Sequence, residues 1–137
     1  MTTPPGAFPD VEALVVDILK ADAALVATQA HIAVDPPPGF NGTTRAVLVN
    51  RRGGAWTGDL HVDMPLIEFE VYGPTKADAH VLCNAARRVL LAAIGRTYGV
   101  NAITDVEEED GPRWLPDYVY RAANRYVCVI RLSLNVF

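Results

Sequence analysis

Serine is nearly missing from this chain: Ser133 is the only one in 137 residues. It sits in a strand-like stretch with no GxSxG around it, which excludes an ordinary serine nucleophile. Cysteine is scarce as well. Cys83 and Cys128 each lie inside an apolar pattern, so they read as small buried hydrophobes and not as a disulfide or metal pair. Lysine is outnumbered by arginine, the side chain suited to pairing with carboxylates at interfaces. An excess of positive charge is absent: the net charge is −4, which argues against nucleic-acid binding as the main task. No apolar run approaches the ~20 residues of a membrane span. Residues 1–9 have neither a basic start nor an apolar core, so they do not read as a signal peptide, and the expected place of synthesis and assembly is the cytoplasm of the cell.

Catalytic and metal patterns are missing too. There is no Gly-rich phosphate loop and no HExxH. His61-x-Asp63 is a two-ligand fragment without a second pair at metal-ligand spacing. The acidic run 107–110 (Glu107, Glu108, Glu109, Asp110) lacks the alternating oxygen ligands of a calcium loop and reads as a solvated or interface-facing patch. Cys83 follows His80 by three helical positions, but the helix phase turns the thiol onto the apolar stripe, where a reactive thiolate is disfavoured. The expectation is a non-enzyme with no catalytic residue, no cofactor and no metal.

What is present is a globular composition, half hydrophobic and one-fifth charged, in a chain long enough for one domain with a real core. Residues 1–8 read as an extended lead and 9–137 as the domain. The clearest element is a helix over 74–95. Thr75 caps it, with Asp78 three residues on as a capping-box variant. Ala79, Leu82, Cys83, Ala86, Val89, Leu90, Ala93 and Ile94 share one face. His80, Asn84, Arg87 and Arg88 fall mostly on the other, and Gly95 serves as the C-terminal cap.

The remaining elements follow from period and turn chemistry. Residues 9–21 read as a first helix, with Asp10 and Glu12 in its first turn. Asp22 caps a short turn, and 26–34 reads as a weak strand. The prolines and Asn41-Gly42 make 35–44 a surface loop. Residues 45–52 and 66–73 read as strands around a long hairpin tip or flap at 53–64. In the second strand Ile67, Phe69 and Val71 oppose Glu68, Glu70 and Tyr72. Residues 99–107 read as a strand broken by the acidic run, Gly111-Pro112 as a turn and 113–117 as irregular. A long final strand spans 124–137, with Tyr126, Cys128, Ile130, Leu132, Leu134 and Val136 opposite Arg131, Ser133 and Asn135. The order implies an α+β domain: a mainly antiparallel sheet with two main helices packed on one face. The polar sheet face is either wet or meets another subunit.

Several residues suit an interface: Arg51 and Arg52 before the flap, Trp56 within it, Glu68 and Glu70 on the polar sheet face, Arg87 and Arg88 on the helix, Glu107 to Asp110, and Arg113 with Trp114. Trp56 is either an exposed anchor or a ring folded back on the sheet. Trp114 is either a core plug or a docking anchor.

Three segments together, FPDVEALVVDILKAD, FEVYGPTKADAHVLCNAARRVLLA and ITDVEEEDGPRWLPD before the last apolar strand, resemble tail terminator proteins of long-tailed bacteriophages, most of all those of actinobacterial phages. The resemblance runs from about residue 8 to 136. It is most specific at VYGPT (71–75) and GPRWLPD (111–117), and least comparable at the 35–44 loop and the 53–64 flap. It implies a structural virion protein that forms a ring, commonly a hexamer, on the head-proximal end of the tail tube. Such a ring stops polymerisation of the major tail protein, offers a surface to the head-side connector and lets DNA pass through its lumen. It implies no membrane. The alternatives are another phage neck protein, such as a head-closure or head–tail adaptor, and a small α+β enzyme.

Overall fold

The computed structural model describes residues 10–57, 62–98, 101–115, 117 and 119–135. The first element is a helix, α1 (Val11–Lys20), whose N-cap is Asp10: its carboxylate accepts from the Ala13 N–H. Residues 26–34 differ from expectation. The Asp22 carboxylate accepts from Leu25 N–H and holds a one-turn helix, α2 (Ala23–Ala27). Gln29 then reverses the chain at a φ of 59°. Only a three-residue strand follows, β1 (His31–Ala33). A local cap and a left-handed turn overrode a weak alternation there.

The sheet is built on two long hairpin partners, β2 (Ala46–Thr57) and β3 (Val62–Gly73). The expected flap over 53–64 is therefore mostly strand. Gly53 and Gly54, at φ of 86° and 107°, make a bulge where the register shifts between Arg51 and Gly54, and the ladder then resumes to Thr57 opposite Val62. A Cβ on Gly54 would lie 2.2 Å from the Met64 carbonyl oxygen, so the paired backbones approach as only glycine permits.

The main helix, α3 (Lys76–Leu91), starts on the Thr75 side chain, which accepts from the Asp78 N–H at 3.1 Å. Its end is earlier than expected. Ala92 is the C-cap, and Gly95 lies beyond it, donating its N–H to the Ile103 carbonyl at 2.7 Å. A two-residue strand, β4 (Thr97–Tyr98), leads to β5 (Asn101–Trp114) and β6 (Asn124–Asn135).

The acidic run and Gly111-Pro112 neither break nor turn β5. The strand passes through both, with register shifts at Ile103/Asp105, Glu108/Asp110 and Asp110/Arg113. Ion pairs with distant arginines hold the carboxylates in place. The proline is tolerated because β5 beyond residue 103 has a strand on one side only among the described residues.

The sheet order is β1-β2-β3-β6-β5-β4, antiparallel except for the β1–β2 pair. Both main helices cover one face, so the α+β class and its arrangement hold. The core joins Val11, Val15, Ile18 and Leu19 of α1 and Leu82, Cys83, Ala86 and Leu90 of α3 to one face of the sheet. That face carries Val47 and Val49, then Ile67, Phe69 and Val71, then Cys128, Ile130, Leu132 and Leu134. Both cysteines are free and buried. A hydrogen bond with Cys83, together with burial, pushes the Cys128 thiol well above its ordinary range.

The opposite face is not simply polar. Tyr72 is buried under Phe40 from the proline-rich loop and Tyr120 from the β5–β6 connection, in a small second cluster with Ala46, Leu48 and Ala123. The rings meet edge-on, with centroids 5.0 Å apart for Phe40–Tyr72 and 5.2 Å for Phe40–Tyr120.

Candidate interaction surfaces

The charged residues singled out in the sequence pair largely with one another inside the chain. Arg51 donates to both carboxylate oxygens of Asp63, each at 2.7 Å. Asp63 is wholly buried. The Arg51 backbone N–H also donates to Glu12 Oε2 at 3.0 Å, tying α1 to the edge of the sheet. Asp63 thus serves an internal ion pair. His61, its companion in the two-ligand fragment, lies outside the described residues, and no three-residue metal cluster occurs among the described ones.

On the helix-free face Arg52 lies 2.9 Å from Glu68. Burial raises the Glu68 pKa, and the charge of Arg52 opposes that rise. Glu70 accepts from Tyr72 Oη at 3.2 Å and sits 3.8 Å from Arg125. Tyr72 Oη donates more closely, at 2.7 Å, to Asp117. Burial works against ionisation of Asp117, but the hydrogen bonds from Tyr72 and from the Val119 and Tyr120 N–H groups, with the charge of Arg125, outweigh it and hold the carboxyl below its ordinary range. Burial, then the Asp117 bond, pushes the Tyr72 hydroxyl far up. This knot pins the GPRWLPD segment to the sheet. Alternation alone places Tyr72 on the polar face with Glu68 and Glu70, and no local pattern marks Asp117 or Arg125 as its partners. The available signal was an aromatic residue in a row of carboxylates, which needs cover.

The acidic run divides by strand alternation. Glu107 and Glu109 both meet Arg131 of β6 on the helix-free face. Asp110 lies 3.3 Å from Arg113. Glu108 turns to the helix side and accepts two bonds from Arg87, at 2.6 and 2.5 Å. That pairing holds the Glu108 carboxyl below its ordinary range and raises the Arg87 pKa. Arg88 is 4.0 Å from Asp22 at the start of α2.

Trp56 lies in β2 with its backbone opposite Asp63, and its side chain lies outside the described residues. Trp114 is 43 % exposed at the end of β5, with Lys76 Nζ 4.7 Å from its ring. Leu115 and Val119 are exposed beside it in sequence, so the segment after β5 presents apolar side chains to solvent while Tyr120 and Asp117 anchor it. Of the two readings of Trp114, an exposed ring fits and a core plug does not.

Against this geometry stands a match to the family model described as phage tail termination protein, over residues 7–120. The chain belongs to that family. The tail termination fold is shared, at 18 % identity and a TM-score of 0.60, with a chain of a solved structure described as the virion of a native gene transfer agent particle. The match covers 92 % of this chain and 95 % of that one. No curated protein matches. The segments that carried the resemblance have structural reasons in this tail termination fold. In VYGPT, Gly73 lets the end of β3 touch the first turn of α3, and Thr75 caps that helix. In GPRWLPD, Asp117 closes the Tyr72 knot.

Proposed function

We propose that this chain is a structural component of a phage particle that forms a ring on the head-proximal end of the tail tube, ends tube growth and offers its other side to the head-side connector. Membership of the tail termination family carries the reading. The fold is compatible with it. A ring needs two unlike patches on each subunit, and this sheet has two unlike edges, β1–β2 on one side and β5–β4 on the other. The net charge of −4 suits a conduit through which DNA passes without being gripped. The ring contains only this chain, commonly in six copies, and its partners are the tail tube protein and the connector. The particle is its site of action, and it performs no catalysis.

The test is polymerisation of purified tail tube protein in its presence. Tubes bearing one ring at one end, with lengths that stop growing, are the expected result. Tubes of unaltered length with bare ends would overturn the reading.

A further inference from the structure

On the premise of that ring, we propose that the subunit contact is a continuation of the β-sheet: the uncovered edge of β5 in one copy takes the uncovered stretch of β2 in the next, in antiparallel sense, with Arg52 set against the carboxylates of β5.

Both edges are only partly covered. β4 pairs with Asn101 and Ala102 alone, and the backbone of Gly95 and Arg96 occupies Ile103. Past that point no described strand lies beside β5. Pro112 has no N–H to give, so the usable stretch is residues 104–110. At the other edge β1 covers only Ala46, Val47 and Leu48. The Arg51 N–H is taken by Glu12, and Trp56 and Thr57 stand in the rows of the covered Ile103 and Ala102, which leaves Gly54 and Ala55 for backbone pairing at equal height.

The strand directions agree. Three antiparallel steps, β2 to β3 to β6 to β5, make β2 run opposite to β5. Copies rotated about an axis along the strands therefore bring the two edges together antiparallel, without inverting either. The heights agree as well. Arg51, Ile67, Ile130 and Glu108 stand in one row of the ladders, and Leu66, Arg131 and Glu107 in the next. Arg52 sits in the bulge at that level. Asn50, Glu68, Val129 and Asp110 form the row on the other side. Neighbouring copies at equal height thus set Arg52, 55 % exposed in its side chain, beside Glu107 and Glu109, 55 % and 39 % exposed.

The charges also select the partner edge. Asp105, Glu107, Glu109 and Asp110 outnumber their own partners Arg131 and Arg113. A β5–β5 contact about a two-fold axis would put carboxylates opposite carboxylates, which is destabilising. The edge is closed to its own kind and open to an arginine-bearing one, as a head-to-tail ring requires.

The test is an Arg52→Cys/Glu107→Cys double variant, oxidised while bound to tail tubes. Within one chain these positions are three strand spacings apart, about 14 Å, beyond the ~7 Å limit for a disulfide, and the native thiols are buried. Any covalent product therefore joins two copies. The expected result is a ladder of multimers on a non-reducing gel, ending at the ring size, with each single variant monomeric. Rings visible on tubes with the double variant still monomeric would overturn the edge pairing and leave the ring intact. Covalent dimers from Glu107→Cys alone would overturn it too, by showing a two-fold contact. Tubes left uncapped by the unmodified chain overturn the ring itself, and the edge pairing with it. A charge swap serves if the cysteine variants fold poorly by circular dichroism. Arg52→Glu or Glu107→Arg alone should reduce capping about tenfold, with recovery in the combination, and no recovery contradicts the pairing.

Discussion

Arg51 and Asp63 form a two-point ion pair within the β2–β3 hairpin although they are not ladder partners: Arg51 stands opposite Ile67, and Asp63 opposite Trp56 and Leu134. The bulge at Gly53-Gly54 curls the strand so that Arg51 can reach along it. Asp63 is shut from solvent, and the Arg51 guanidinium compensates its buried carboxylate at both oxygens. Replacing Arg51 with Met leaves a buried carboxylate uncompensated and should cost about 3–5 kcal/mol. Replacing both, as Arg51→Met/Asp63→Leu, should recover most of that loss. Urea unfolding of the three proteins checks it, and equal losses in single and double variants would contradict the account.

Acid should unfold this protein through Glu108 and Asp117. Both carboxyls are held below their ordinary values of 4.5 and 3.8. Groups depressed in the fold contribute stability above their unfolded pKa and lose it as pH falls through the folded one. The melting temperature should therefore fall below about pH 4. Glu68, raised by burial, has the opposite sign: its contribution is present at low pH and is lost as pH rises through its folded value. Glu108→Gln should flatten the acid-side slope, and Glu68→Gln should steepen it. Melting curves from pH 2 to 7 decide.

The local signals and the distant ones separate clearly in this chain. Thr75 with Asp78, the apolar stripe of α3 and the alternation around Phe69 and Ile130 are set by neighbours within a few residues, and the sequence shows them. The path of β5 through Glu107 to Asp110 is set by Arg131 on β6 and by Arg87 on α3, more than twenty positions away in each case. A run of four acids with no visible partner looks like an interruption. Tyr72 is similar: its period places it with Glu68 and Glu70, and its cover comes from Phe40 and Tyr120, whose loops carry no periodic signal. Gly53-Gly54 reads as a turn because positive φ serves turns and bulges alike.

The exposed Trp114 should matter to assembly and little to folding. Its ring is packed by the Lys76 ammonium, a contact worth about 0.5–1 kcal/mol at an exposed site. Trp114→Ala should thus lower stability by no more than about 1 kcal/mol. If the ring docks on the tube or the connector, the same change should reduce capping or head joining, read by counting capped tubes and joined particles.

The buried thiols should be inert in the native protein. Cys128 is raised by Cys83 and by burial, and neither sulfur reaches solvent. The thiolate is the reactive form. A disulfide reagent should therefore label neither cysteine in buffer within minutes, and both in denaturant. Fast labelling of one thiol in the folded state would show that α3 lifts from the sheet.

Gly73 joins β3 to the start of α3 at a distance no side chain fits. A Cβ there would stand 2.7 Å from the Ala79 nitrogen and 3.1 Å from its Cα, both backbone atoms of the helix and so unable to swing aside. Gly73→Ala should push the first turn of α3 off the sheet, loosen the Thr75 cap and cost about 1–3 kcal/mol. Gly95→Ala separates this clash from backbone strain. At Gly95 an added Cβ meets open space, but φ is 81°, so only the left-handed penalty of about 1–2 kcal/mol applies. Urea unfolding gives the size of each loss, and hydrogen exchange gives its place. Gly73→Ala should speed exchange at the start of α3, around Asp78 and Ala79, while Gly95→Ala should leave those amides protected. Unchanged protection there in Gly73→Ala would mean that the strand and helix have room to part without cost.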